Sequence, residues 1–115
     1  MLPENHRLKI NRVRSRSWAN KRELYTPFFK VIFPLKEGDG DSPRTGFIIG
    51  GKIKSAVKRN RIRRILAEAV RGKIKEFPRR SETLIITSKK AGEANYEDIN
   101  SWVNKILSKL HKSSE

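Results

Sequence analysis

Apolar residues recur along this chain in two rhythms, and each change of rhythm marks an element. The clearest helical rhythm lies near the end. Ile99, Trp102, Val103, Ile106, Leu107 and Leu110 fall three or four apart, which lays one apolar stripe along a helix. Asn95 and Asp98 stand at its start with the spacing of a capping box, Asp taking the usual place of Glu. A longer helix is predicted from Ser55, as N-cap, to about Phe77, where Pro78 stops it. Its stripe is Ile62, Ile65, Leu66, Ala69, Val70, Ile74 and Phe77.

The second rhythm is alternation. Residues 26–35 are aromatic and β-branched between prolines, which predicts a strand. Phe29, Val31 and Phe33 then share one face, and Phe28, Lys30 and Ile32 the other. Residues 36–43 form an acidic loop, and strands follow over 45–50 and 83–88. In the first of these, Phe47 and Ile49 oppose Ile48. Residues 7–22 space Leu8, Ile10, Val13 and Trp18 only loosely, so a short, poorly specified helix is predicted there. The order is helix, strand, strand, helix, strand, helix, with room for another strand within 30–50. Helices gathered on one face of a small sheet make an α+β sandwich.

Composition narrows this further. The 115 residues fit one domain with a thin core, since only 36% are apolar. No cysteine is present, so disulfides and thiolate chemistry are excluded. No apolar run approaches the roughly 20 residues of a membrane span. Residues 1–9 lack the apolar core of a signal peptide, so a cytoplasmic location is expected. Against these ordinary features stands a net charge of +15, from 27 Lys and Arg against 12 Asp and Glu. Such a chain repels itself unless a polyanion compensates, and nucleic acid or an anionic membrane surface would serve.

Candidate catalysts are scarce. His6 and His111 sit near opposite ends, no cluster of acids and histidines has metal-ligand spacing, and Gly46, Gly50 and Gly51 belong to no phosphate-loop pattern. The polypeptide alone does not read as a catalyst. The charge is concentrated instead, with seven Lys or Arg and no acid over residues 52–64. On a helical projection Asn60, Arg61, Arg64 and Arg71 face away from the apolar stripe, and Arg63 flanks it. Arg59 falls within the apolar arc, so it is expected to overhang the sheet and point toward an anion. No acid is available for pairing before Glu68, and the phosphates of a nucleic acid would relieve that repulsion. A membrane surface fits less well, because the basic helix has no aromatic anchors.

The residues of this stretch resemble those of the protein subunit of bacterial ribonuclease P. The resemblance rests on Gly46-Phe47-Ile48-Ile49, then Lys52, then Ala56-Val57-Lys58-Arg59-Asn60-Arg61-Ile62-Arg63-Arg64. Weaker similarity covers residues 7–9, 84–87 and 96–99. It implies a two-layer α/β sandwich in αβββαβα order, with a left-handed crossover. It also implies that Lys52, Lys54, Lys58, Arg59, Asn60, Arg61, Arg63 and Arg64 meet a catalytic RNA, which holds the Mg²⁺ ions. The open sheet face would hold the single-stranded 5′ leader of precursor tRNA, with Trp18, Lys30, Ile32 and Ile48 around it. Trp18 has two roles open to it, stacking on a base or anchoring the first helix. Partners are then RNA rather than DNA or membrane. The rival reading is a ribosomal or general structural RNA-binding protein with no part in cleavage. Where the family usually has Phe, Ser-Lys and Arg, this chain has Arg14, Gly50-Gly51 and Ala67.

Overall fold

A computed structural model describes residues 6–7, 21–34, 43–50, 53–77 and 82–113. Strands β1 (Lys21–Tyr25) and β2 (Phe29–Pro34) form an antiparallel hairpin in which Leu24 lies opposite Val31. Thr26 makes the reversal. Its hydroxyl oxygen accepts from the amides of Phe28 and Phe29 at 3.2 and 3.0 Å, and its own amide donates to the Phe29 carbonyl at 2.9 Å. Strand β3 (Arg44–Ile48) is followed by helix α1 (Ala56–Arg71), strand β4 (Glu82–Thr87) and helix α2 (Tyr96–Ser113). The sheet order is β1-β2-β4-β3, with β4 antiparallel to β2 and parallel to β3.

Both helices pack on one face of this sheet. Phe29, Val31, Ile49 and Ile85 meet Ile62, Leu66, Ala69 and Val70 of α1, and Ile99, Val103, Ile106 and Leu107 of α2, in one buried cluster. The expected α+β sandwich is therefore the observed one. Ser55 caps α1 by accepting from the Lys58 amide at 3.3 Å. The capping box of α2 closes in both directions, with Asp98 N donating to Asn95 Oδ1 at 2.9 Å and Asn95 N to Asp98 Oδ2 at 3.3 Å.

Three expectations need correction. The additional strand is β1, which lies before residues 30–50 rather than within them. Its Lys21 and Arg22 fall within the span expected for the first helix, and pairing with β2 overrides the weak local signal of a charged pentapeptide. Arg7, also given to that helix, bridges Thr45 as a parallel β-contact, and the rest of that helix lies outside the described residues. Finally, α1 ends at Arg71 and not near Phe77. Gly72 costs helix stability, and the chain tightens into a 3-10 turn (Ile74–Glu76) that still delivers Ile74 and Phe77 to the core.

Candidate nucleic-acid interface

Helix α1 carries Lys58, Arg59, Arg61, Arg63, Arg64 and Arg71 against a single acid, Glu68, with no acid in its first turn. Because its buried stripe is held by the sheet and α2, the remaining arc must face outward. Lys58, Asn60, Arg61, Arg63, Arg64 and Arg71 are all exposed. Asn60 Oδ1 accepts from Arg63 Nη1 at 3.0 Å, and Arg71 reaches Glu68 at 3.5 Å. Arg64 has no hydrogen bond or ion pair among the described residues. The stripe also exposes Val57, at 77% one of the most accessible apolar side chains described. Lys54 is exposed just before the helix, and Lys52 lies outside the described residues.

Arg59 does not point outward as expected. Its guanidinium turns back on the end of β3 and the following turn, donating to the carbonyls of Ile49 (3.4 Å), Gly50 (3.4 Å) and Ile53 (3.3 Å). Those carbonyls lie where the ladder with β4 stops, so they offer a half-buried cation the partners that sequence position alone did not reveal. Arg59 is a brace across the strand-to-helix turn. Gly50 tightens the same turn: its amide donates to Thr87 Oγ1 at 2.8 Å, and a Cβ here would stand 2.8 Å from the Thr87 carbonyl oxygen. The absence of a side chain at Gly50 is thus a packing requirement of this backbone.

The opposite sheet face gathers the other candidates. Strand register places Tyr25, Lys30, Ile86 and Ile48 in one row across all four strands. The adjoining row is Glu23, Ile32, Leu84 and Gly46. Lys30 and Ile48 are half-buried in the first row, while Ile32 and Leu84 are buried in the second. The structure therefore brings Lys30, Ile32 and Ile48 onto one surface, with Trp18 and Arg14 outside the described residues. Sequence reasoning missed Tyr25 and Ile86. Alternation within 83–88 separates Ile86 from Ile85, but only register shows which face it joins. Tyr25 is 64% exposed, and its hydroxyl donates to Glu23 Oε2 at 2.6 Å. That hydrogen bond to a carboxylate holds the phenol above its ordinary range.

Among the described residues, no group of three or more His, Asp or Glu comes together to hold a metal, and no helix is long and apolar enough to cross a membrane. A small α+β protein with a cationic helix on one side and a mixed apolar and basic sheet face on the other is built to bind a polyanion.

Residues 2–111 match the family model described as Ribonuclease P, and the chain belongs to that family. It is 28% identical over 108 residues to the ribonuclease P protein component of Syntrophus aciditrophicus, spanning 94% of this chain and 89% of that one. With the protein component of Aliivibrio fischeri it shares 32% over 90 residues, or 77% and 74% of the two chains. The fold is similar to that of the ribonuclease P protein from Thermotoga maritima, with a TM-score of 0.75 at 21% identity over 90% of this chain and 96% of that one. The general function of the family is maturation of tRNA at its 5′ end.

Proposed function

We propose that this chain is the protein subunit of a ribonuclease P ribonucleoprotein, working in the cytoplasm and contributing surface and charge without an active site of its own. Helix α1 meets the catalytic RNA, and the opposite sheet face takes the 5′ leader of precursor tRNA. The Mg²⁺ ions belong to the RNA. The observation that carries this reading is the outward stripe of α1, where Asn60, Arg61 and Arg64 stand exposed and Glu68 is the one acid of the helix. Arginine forks onto phosphate oxygens, so the stripe suits an RNA backbone better than a diffuse charged surface would.

Reconstitution tests it. Added to a transcript of a bacterial ribonuclease P RNA, the protein is expected to restore precursor-tRNA cleavage at Mg²⁺ concentrations where the RNA alone is slow. Unchanged cleavage across the Mg²⁺ series would refute the proposal.

The sheet face makes a separate prediction. Lys30 sits beside Ile86 and Ile48 and is the basic group of that row. Lys30→Ala is expected to weaken precursor-tRNA binding by the holoenzyme about tenfold, the size of one charge-assisted contact. Mature tRNA, which has no leader, should bind as before. Equal losses for both ligands would remove the leader from this face.

A further inference from the structure

Beside the outward stripe of α1 lies a groove. It runs between the start of α1 and the 3-10 turn Lys89–Glu93, over Ile53 and Gly92. Lys54 and Lys58 line one wall, Lys89 and Lys90 the other, and all four are exposed. Glu93 is the one acid among the lining residues. Small-molecule pockets are mostly apolar with a few placed polar groups. This groove instead carries four ammonium groups spread along two walls, each able to meet a separate phosphate of a chain.

Glu93 is placed to control it. Lys58 Nζ donates to Glu93 Oε1 at 2.5 Å, and Arg61 Nη1 approaches the neighbouring Gly92 carbonyl at 3.5 Å. Lys58, with a smaller contribution from Arg61, holds the Glu93 carboxyl below its ordinary range, so it is a carboxylate at neutral pH. The pair is open to water, with side-chain exposures of 48% and 74%, and an exposed pair is readily exchanged.

We propose that this groove is a second phosphate track for the RNA partner, in which Glu93 occupies Lys58 until an RNA phosphate replaces it. The proposal rests on the RNA-binding reading above. It adds Lys89 and Lys90 to the interface, and it makes Glu93 a counter-ion that discourages weak, non-specific contacts.

The full chain, titrated with a transcript of a bacterial ribonuclease P RNA over a range of NaCl, separates the possibilities. Replacing Lys89 and Lys90 with Ala should flatten the slope of log K against log[salt] by about 1.4–1.8, or 0.7–0.9 for each lost contact. Glu93→Gln should leave the slope near that of wild type, because Lys58 meets a phosphate in both proteins, and should raise affinity about two- to fivefold. Melting temperatures should stay within about 2 °C of wild type, since every altered side chain is exposed. If these lines superimpose on wild type while a variant with Ala at Arg61 and Arg64 is flattened, the groove is not part of the interface. If that variant also superimposes, the RNA-binding reading itself fails. Unchanged RNA binding with loss of adhesion to anionic phospholipid vesicles would assign the groove to a membrane and overturn the proposal.

Discussion

Replacing Arg61 and Arg64 with Ala is expected to weaken the hold on ribonuclease P RNA by roughly tenfold for each side chain while leaving the melting temperature near wild type. Both arginines are exposed on the outward arc of α1, so their removal should subtract positive charge and no core packing. The slope of log K against log[salt] should flatten with them. Arg59→Ala, only two residues from Arg61, should behave differently. Its guanidinium serves the carbonyls of Ile49, Gly50 and Ile53, so truncation should cost about 1–3 kcal/mol of stability. RNA affinity should fall as the strand-to-helix turn loosens, with the salt slope unchanged. Arg59→Lys should recover only part of the stability, since a single ammonium cannot span three carbonyls as a guanidinium does. Denaturant unfolding beside salt-dependent binding decides the matter. A flattened slope with full stability in Arg59→Ala would mean that this arginine meets phosphate after all.

The second large effect lies under the same helix. Leu66 is fully buried between the sheet and α2, and Leu66→Ala is expected to cost about 2–5 kcal/mol. Domains of this size are stable by only about 5–15 kcal/mol, so the substitution should remove a large share of the total. Arg64→Ala, two positions away on the exposed arc, should change stability by less than about 0.5 kcal/mol. The contrast measures how sharply α1 divides into a packed side and a binding side. A loss under about 1 kcal/mol at Leu66 would contradict the docking of α1 on the sheet.

How far these roles could be read beforehand depended on how local their causes are. The capping box of Asn95 and Asp98, the Ser55 cap and the apolar stripes of both helices act within one or two turns, and all three were legible. The two faces of β2 followed from alternation, which set Lys30 apart from Phe29 and Val31. Strand β1 was not legible, because its charged residues form a strand only through pairing with β2. The direction of Arg59 depended on carbonyls six to ten residues back, left without a ladder by the register of β3 on β4. The pairing of Lys58 with Glu93 spans 35 residues and exists only once β4 has returned the chain to the start of α1. Function was legible as charge before it was legible as geometry.

The sheet order has a consequence for synthesis. Strand β4 is the last strand to leave the ribosome, yet it belongs between β2 and β3. A nascent chain that has not reached Glu82 therefore holds a hairpin whose β2 edge lacks its partner and a β3 without the strand it pairs with, both templates for unwanted association. It also carries every arginine of α1 with no completed sheet beneath them. Interrupted chains should accordingly adhere both to one another and to whatever RNA is nearby. Insertion of β4 ends both hazards in one step, because the strand that fills the gap in the sheet also completes the surface on which the cationic helix docks.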